Sequence, residues 1–242
     1  MLLAIDIGNT NISCALFKGA RIKKNWDIPV KNYSRANLLK HIKGKKLCAA
    51  LICSVVPQIT GKLSVDIAGI NGIKPYIIGK DIKIPIKNLY LNQKQLGADR
   101  LVNAYAASMI YGHPVIVASV GTAITLDVVS KNGAYLGGLI QPGLKLAISI
   151  LASKTALLPG IKLKDPSGII GRDTRSCILS GVILGAAGSI DSLVEKIRLK
   201  TGRNTPVIGT GGDITLIKKF SKHITKVDRE LTLKGINLIY EK

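Results

Sequence analysis

Three glycine-centred turns give this chain the residue types that bind phosphate groups. In the segment LLAIDIGNTNISCALF (residues 2–17), an apolar run carries one carboxylate, Asp6, and then breaks at once into Gly-Asn-Thr. A turn that binds a polyphosphate needs backbone N–H groups, short hydroxyl or amide side chains and an acid that can hold a metal ion. The other two turns lie in VIVASVGTAITLDVVS (115–130) and VIGTGGD (207–213). One such turn is most often only a turn, and Asp6 could merely cap it, but three together favour nucleotide binding.

The predicted elements put each turn at the end of a buried strand. Residues 2–7 and 11–17 are apolar runs bounded by turn residues, which predicts a hairpin, and a third strand is predicted around 21–28. A helix is predicted after Ser34, and the apolar segment 47–56 predicts a buried strand. Strands and helices alternate from there, which predicts an α/β layered fold.

The first two turns belong to hairpins that repeat one pattern. With Gly8 laid on Gly121, each segment reads as an apolar strand, a glycine-centred polar turn, a second strand and another polar turn. This predicts two similar domains, residues 1–114 and 115–242, unless two short hairpins match by chance. If the halves pack face to face, the two turns point into one cleft.

Composition and charge restrict the class of protein. Hydrophobic residues make up 47% of the 242 residues, which is typical of a globular chain. The net charge of +21 would suit a nucleic-acid partner. However, the lysines are spread along the chain and aromatic residues are not interleaved with them, so anionic small substrates are favoured over nucleic acid.

Two further patterns bear on location. Residues 101–126 carry no formal charge and are long enough to span a bilayer, but Gly112-His113-Pro114 divides them. We interpret the stretch as a helix, a turn and a buried strand of a soluble protein. The four cysteines form no CxxC pair and are interpreted as buried thiols. With no recognisable leader peptide, we expect a cytoplasmic protein.

Six segments together resemble type III pantothenate kinases, which belong to the acetate and sugar kinase, Hsc70 and actin superfamily. They are DIGNTN (6–11), SVVP (54–57), LGADRLVNAYAA (96–107), VGTAITLDVV (120–129), GAYLGGLIQPG (133–143) and VIGTGGD (207–213). Their order and spacing along most of the chain make the resemblance far more specific than any single motif. It implies an α/β fold of two duplicated ribonuclease H-like domains of the actin-like ATPase type, with a nucleotide cleft between them.

The resemblance also implies a function. Members of the family use ATP to phosphorylate pantothenate to 4'-phosphopantothenate, the first step of coenzyme A biosynthesis. They are typically cytoplasmic homodimers that use Mg²⁺ and a monovalent cation, K⁺ or NH₄⁺. For this chain the resemblance implies a kinase whose partners are pantothenate, ATP and a second copy of itself, without a membrane or nucleic-acid partner.

Matching positions imply a role for each site residue. Asp99 in GADR corresponds to the catalytic base, and the Arg100 guanidinium suits the pantothenate carboxylate. Asp6 would hold Mg²⁺ through water. The implied ATP contacts are Asp6, Ile7, Gly8, Asn9, Thr10, Asn11, Ile12, Ser13 and Thr122. The implied pantothenate contacts are Tyr90, Gly97, Ala98, Asp99, Arg100 and Thr174.

Structural roles compete with several of these assignments. Asp99 could be an ordinary acid at a helix start, where the helix dipole favours it. Tyr90 could be a buried core tyrosine. Thr174 could be a helix N-terminal residue beside Asp173, which would be the cap. Asp127 also fits the family pattern, with a structural hydrogen bond as the alternative.

The second hairpin departs from the family pattern at Ser119. The family normally has Asp-x-Gly-Thr here, and its aspartate is associated with the monovalent cation. This chain reads Ser-Val-Gly-Thr over 119–122. A hydroxyl brings no charge, and loss of a supporting ligand typically costs about 10- to 100-fold in metal affinity or activity. Weaker dependence on potassium, slow turnover and a deliberate alteration of this position are the open consequences. A further hypothesis is that a surface lysine replaces the ion.

Three other functions stay open. Ser119 would suit a catalytically impaired relative that acts as an accessory or regulatory protein. The charge of +21 motivates a nucleic-acid-binding protein. Polyphosphate and acetate-type phosphotransferases share the implied fold, although GADR and the Gly-Gly-x-x-x-Pro-Gly run at 137–143 favour pantothenate.

Overall fold

The computed structural model describes residues 1–242, apart from the side chain of Asn71, as two compact units. Unit 1 comprises Met1–Met109 together with Glu230–Lys242, and unit 2 comprises Ile110–Arg229. Each described unit is built on a five-stranded mixed sheet with helices. The units differ from the predicted ranges 1–114 and 115–242 mainly at the C-terminus, because the last helix packs on the first sheet.

The elements are numbered in chain order. The strands are β1 (Leu2–Ile7), β2 (Asn11–Lys18), β3 (Arg21–Pro29), β4 (Ala49–Ser54), β5 (Tyr76–Ile77), β6 (Val115–Val120), β7 (Ala123–Val129), β8 (Tyr135–Pro142), β9 (Val207–Thr210) and β10 (Lys226–Val227). The helices are α1 (Arg35–Ile42), α2 (Pro57–Asn71), α3 (Ala98–Tyr111), α4 (Leu144–Lys154), α5 (Thr174–Thr201), α6 (Ile214–Lys218) and α7 (Leu231–Tyr240). The strand order is β3-β2-β1-β4-β5 in unit 1 and β10-β9-β6-β7-β8 in unit 2.

The two sheets share one pattern of pairing. β1 pairs antiparallel with β2 and parallel with β4, and β6 pairs antiparallel with β7 and parallel with β9. The predicted repeat of the hairpin is therefore confirmed, as are the third strand and the helix after Ser34. The strand predicted over 47–56 is shorter, Ala49–Ser54, because Pro57 begins α2. Proline suits this position, since the N–H that it lacks would have no partner within the helix.

Both faces of the central strands of the unit 1 sheet are buried, which explains why β1, β2 and β4 read as apolar runs. Leu3, Ile5 and Ile7 of β1 lie in one cluster with side chains of α1 and α2. Leu2 and Ala4 point to the opposite face, where they share a cluster with side chains of α3 and α7. The apolar side of α7 therefore completes unit 1, and the same face supports α3, the helix that carries Asp99.

The contact between α7 and α3 depends on a glycine. A Cβ atom at Gly235 would lie 2.7 Å from Val102 Cγ1, 2.9 Å from the Val102 carbonyl oxygen and 3.0 Å from Ala106 Cβ. We expect Gly235→Ala to lower the free energy of unfolding by about 1–3 kcal/mol, because overpacking displaces one of the helices. Urea unfolding followed by circular dichroism measures this change.

Gly61→Ala in α2 is the matched control for this prediction. No described atom lies within 4 Å of a Cβ built at Gly61. Alanine favours a helix interior over glycine by about 1 kcal/mol, so this variant should be as stable as the unaltered chain or more so. Equal destabilisation by Gly61→Ala and Gly235→Ala would contradict the packing of α7 on α3.

Helix α5 is long and apolar enough to cross a membrane by length and composition, with a mean hydropathy of 1.8 in its most apolar window. Its side chains Ile183, Ile190 and Val194 are fully buried in the core of unit 2. Core packing accounts for part of this apolar composition, since 39% of that window is buried. The uncharged stretch 101–126 forms most of α3, a turn, β6 and the start of β7, which confirms its interpretation as a helix, a turn and a buried strand.

The prediction of four buried thiols is wrong for two of them. Cys14 and Cys53 are buried, whereas Cys48 and Cys177 are exposed. Burial, together with the nearby charges of Asp6 and Asp99, raises the pKa of the Cys53 thiol. The hydrogen bond that the Tyr240 hydroxyl donates to Cys48 lowers the pKa of the Cys48 thiol. Composition could not distinguish the two buried thiols from the two exposed ones, because exposure depends on where in a strand or helix a cysteine lies.

Candidate functional site

Asp6 lies near the end of β1, where the strand enters its glycine turn. It stands in register opposite Ser13 of β2 and Cys53 of β4. Burial, the like charge of Asp99 and that of Asp27 raise the pKa of Asp6 to about 7. The structure thus brings together Asp6 and Asp99, the two acids predicted to hold the metal ion and to act as the base.

The carboxylate of Asp6 suits a Mg²⁺ ion held through water. Among the side chains that the structure describes, no group of three His, Cys, Asp or Glu residues could form a metal centre by itself. Mg²⁺ does not need such a cage, because it usually keeps several waters and binds one or two carboxylates together with substrate phosphates. A cation here would also relieve the repulsion among carboxylates that raises the pKa of Asp6.

The turn after β1 presents polar groups and is anchored by its flanking residues. The Gly8 N–H donates to the Asn11 carbonyl oxygen at 3.0 Å, and residues 9–11 are exposed. The side chains of Ile7 and Ile12 are fully buried in the core. These two isoleucines therefore fix the ends of the hairpin, and the exposed residues 9–11 are the part of the turn that could meet a ligand.

Asp27 is a site residue that sequence reasoning missed. It pairs in register with Ser13, whose hydroxyl donates to Asp27 Oδ1 at 2.6 Å. Its charge contributes to the raised pKa of Asp6 on the far side of β2. Locally, β3 reads as a lysine-rich edge strand, so only the strand register signals that Asp27 belongs to this cluster.

Each residue of the Gly-Ala-Asp-Arg motif (97–100) suits its position at the start of α3. A Cβ atom at Gly97 would lie 2.5 Å from Asp99 Oδ1 and 3.6 Å from Val55 Cγ1, so glycine leaves room for the carboxylate. Ala98 packs against the core cluster beneath the helix. Asp99 lies in the first helical turn, where the helix dipole favours an acid, and Arg100 is only 9% exposed.

Tyr90 lies half-buried in the segment before α3. Its N–H donates to Asn88 Oδ1 at 2.9 Å, which orders the chain at this point. The alternative of a buried core tyrosine is therefore wrong. The proposed contact of Tyr90 with a substrate stays a prediction.

Thr174 is exposed at the start of α5, and the residue before it is the cap. The Asp173 carboxylate accepts from the Ser176 N–H at 3.0 Å, and the Ser176 hydroxyl accepts from the Asp173 N–H at 3.1 Å. This reciprocal arrangement is a capping box, so Thr174 is not needed to cap the helix. It lines an apolar pocket of about 340 Å³ together with Leu151, Leu158, Cys177, Ile178, Gly181 and Val182.

The β6–β7 turn of unit 2 resembles the first turn and is packed closely by the start of α4. The Gly121 N–H donates to the Ala123 carbonyl oxygen at 3.0 Å, and Thr122 is exposed. The Gly143 N–H donates to the Thr122 carbonyl oxygen at 3.0 Å. A Cβ atom at Gly143 would lie 2.1 Å from the Gly121 carbonyl oxygen, so only glycine allows this approach.

The third glycine turn, after β9, contacts the same hairpin from the other side. The Asp213 N–H donates to the Val120 carbonyl oxygen at 3.0 Å. Gly211 has a φ of +94°, and a Cβ atom there would lie 2.4 Å from that carbonyl oxygen. The predicted strand and glycine turn of this segment are confirmed, and a helix of only five residues follows them.

Comparisons with known proteins identify the family. The model of the type III pantothenate kinase family matches residues 2–196. The chain is 37% identical to a type III pantothenate kinase of Agathobacter rectalis, across 100% of this chain and 97% of that protein. It is 35% identical to another of Moorella thermoacetica, across 100% of this chain and 99% of that protein. The chain belongs to the type III pantothenate kinase family.

Solved structures show the fold predicted from the family resemblance. A Campylobacter jejuni protein described as a Baf family transcriptional activator is 20% identical, with a TM-score of 0.62 over 99% of this chain and 97% of that one. A glucokinase from an Antarctic psychrotroph is 13% identical, with a TM-score of 0.52 over 100% of this chain and 99% of that one. At these identities the likeness shows the fold alone, that of the acetate and sugar kinase, Hsc70 and actin superfamily.

Ser119 distinguishes this chain from the usual pattern of type III pantothenate kinases. It lies in register between Thr125 of β7 and Thr210 of β9. The buried Asp127 carboxylate accepts from the Thr125 hydroxyl at 2.9 Å and from the Tyr135 hydroxyl at 2.7 Å. Ser119 therefore has hydroxyl neighbours on both adjacent strands and supplies no charge of its own.

Sequence reasoning also missed Lys145, whose Nζ atom lies 2.8 Å from Asp213 Oδ1. A signal for it existed in the sequence. Lys145 is the second residue of α4, where the helix dipole disfavours a cation, so a partner acid was to be expected. Which acid it meets depends on the fold.

Proposed function

We propose that this chain uses ATP to phosphorylate pantothenate to 4'-phosphopantothenate, the first step of coenzyme A biosynthesis, with Asp99 as the general base. The match to type III pantothenate kinases along the chain supports the reaction. The electrostatic coupling of Asp6 to Asp99 is the observation that carries the residue assignment. Phosphoryl transfer requires a metal-binding acid and a proton acceptor near each other, and these two residues meet that requirement.

The protein contributes to this reaction mainly by positioning and by charge stabilisation. Asp99 accepts the proton of the pantothenate hydroxyl as that oxygen attacks the γ-phosphorus. The bond from the γ-phosphorus to the β–γ bridging oxygen breaks, and ADP leaves with that oxygen. Arg100 pairs with the pantothenate carboxylate, for which a planar guanidinium is well suited. The remaining pantothenate contacts are assigned to Tyr90, Gly97, Ala98 and Thr174.

ATP contacts are assigned in each unit separately. In unit 1 Asp6 would hold Mg²⁺, and the metal would neutralise charge on the phosphates. The exposed residues 9–11 offer N–H and side-chain donors. The other ATP contacts of this hairpin are assigned to Ile7, Gly8, Ile12 and Ser13. In unit 2 the exposed Thr122 offers its hydroxyl.

A coupled assay of ADP release tests the proposed reaction. Purified protein with ATP, Mg²⁺ and pantothenate should release ADP only when pantothenate is present, and the product should carry one added phosphate by mass spectrometry. Absence of pantothenate-dependent turnover would favour an accessory or regulatory role. Turnover with acetate or polyphosphate in its place would favour a different phosphotransferase of the same fold.

We further infer that the enzyme works as a cytoplasmic homodimer through unit 2. Leu157, Ile169 and Ile170 are 90%, 82% and 81% exposed in the segment that leads to α5. Exposed apolar side chains grouped in this way are typical of an interaction surface. Sedimentation should give the mass of a dimer, and Ile169→Ser with Ile170→Ser should shift it towards the monomer. A monomer in the unaltered chain would contradict this inference.

The rate should depend only weakly on potassium, because Ser119 brings no charge to the position that the family reserves for an aspartate. Turnover is measured in potassium chloride and in choline chloride at equal ionic strength. We expect Ser119→Asp to increase the response to potassium, by up to about 10- to 100-fold. A strong potassium requirement in the unaltered chain would refute the idea of a weakened cation site.

A further inference from the structure

We propose that the ion pair between Lys145 and Asp213 is a tie that holds the two glycine turns of unit 2 in position for the ATP phosphates. The turns concerned are the β6–β7 turn, residues 120–122, and the turn at 211–213. This inference rests on the proposed kinase function and adds two positioning residues to it.

The ion pair closes a ring of contacts around the β6–β7 turn. The Gly143 N–H donates to the Thr122 carbonyl oxygen, and two residues later Lys145 Nζ reaches Asp213 Oδ1 at 2.8 Å. The Asp213 N–H then returns to the Val120 carbonyl oxygen at 3.0 Å. Backbone hydrogen bonds therefore hold both partners against the same turn. An ordinary surface ion pair lacks such support, because its two long side chains must first be ordered.

Local helix preferences explain neither the presence of Lys145 nor the orientation of the Asp213 carboxylate. Lys145 lies in the first turn of α4, at the positive end of the helix dipole. Asp213 directly precedes α6 and is a residue type that caps helices, yet among the described N–H groups of α6 it caps none. Its carboxylate turns to Lys145 instead. The ion pair between Lys145 and Asp213 thus forms against the local helix preference at both positions, as expected if it has a function.

The two partners also differ in exposure, which predicts what happens when one is removed. The side chain of Lys145 is 69% exposed, whereas that of Asp213 is 13% exposed. Removing the lysine leaves a carboxylate that is mostly shielded from water without its cation, and removing the acid leaves the lysine free to turn to solvent. Either change releases the start of α4 from the turn at 211–213.

Titration calorimetry with ATP and Mg²⁺ tests the tie without requiring turnover. We expect Lys145→Met and Asp213→Asn each to raise the Kd for ATP by about 10-fold. The double variant should bind no more weakly than either single variant, since all three lack the same interaction. Lys145→Arg should keep most of the affinity. In the coupled assay, the KM for ATP should rise in the weakened variants while the KM for pantothenate stays constant.

Lys219→Met is the matched control, because it removes a different exposed ion pair of unit 2, the one with Asp165. Its affinity for ATP should be unchanged. Weaker binding in Lys145→Met with unchanged binding in Asp213→Asn would indicate direct contact of Lys145 with phosphate and would overturn the tie. Unchanged affinity in both variants would overturn it as well.

The outcome also separates this inference from the proposed function. An unaltered chain that binds ATP but leaves pantothenate unphosphorylated overturns the proposed reaction, and the comparison of Kd values then still decides the tie. An unaltered chain that does not bind ATP overturns both.

Discussion

Asp99→Asn is expected to lower kcat for pantothenate phosphorylation by about 10²- to 10⁴-fold, the range by which a general base contributes. Asparagine has nearly the same shape as aspartate and fits the space that Gly97 leaves beside residue 99, so the fold should be preserved. The amide cannot accept the proton of the pantothenate hydroxyl. The coupled assay of ADP release measures kcat, and the thermal midpoint checks that the variant is folded.

Asp66→Asn is the matched control for this substitution. Asp66 is another carboxylate of unit 1, and it accepts a hydrogen bond from the Tyr33 hydroxyl at 2.7 Å. Its replacement should change stability slightly and kcat hardly at all. If Asp99→Asn retains the turnover of the unaltered chain, Asp99 is not the base and the assignment of the site fails.

Gly143→Ala is expected to have the largest structural effect. Its Cβ atom would lie 2.1 Å from the Gly121 carbonyl oxygen and 2.5 Å from that of Thr122. Both are backbone atoms that cannot rotate away, so either the β6–β7 turn or the start of α4 must move. We expect a loss of about 3 kcal/mol in the free energy of unfolding, the upper end of the usual range for overpacking. Urea unfolding measures this loss.

The same change should weaken ATP binding, because it displaces the turn that carries Thr122. Gly121→Ala is the control for stability, since no described atom lies within 4 Å of a Cβ built at Gly121. Gly121→Ala should lower the free energy of unfolding by less than Gly143→Ala does, although both glycines belong to the same contact. Equal stability of Gly143→Ala and the unaltered chain would show that α4 does not approach the turn as closely as the structure has it.

Much of the secondary structure follows from interactions between residues close together in the chain. Ser34 precedes α1, and its hydroxyl accepts the Asn37 N–H at 3.2 Å, as expected of a cap. Apolar runs bounded by turn residues located both hairpins. Asp6 and the glycine turn beside it were recognised for the same reason, because a lone acid in a buried strand is visible in a few residues.

The family resemblance supplied what local patterns could not, and the outcome differs among the site residues. Asp99 was assigned from the GADR motif, and its coupling to Asp6 supports that assignment. The ATP contacts assigned to Ile7 and Ile12 stay a prediction, and the structure buries both residues fully in the core. Hydrophobic periodicity predicted these strands. It could not predict which residues of a hairpin stay accessible to a ligand.

The sequence by itself determined both hairpins, the start of α1 and the glycine turns, since each depends on neighbours within a few residues. Only the tertiary structure decided which distant groups meet. Asp27 joins Asp6 through the register of three strands, α7 returns to complete unit 1, and Lys145 meets Asp213 across 68 residues. Strand register and side-chain packing select these partners, and such interactions join residues far apart in the chain, so no local pattern encodes them.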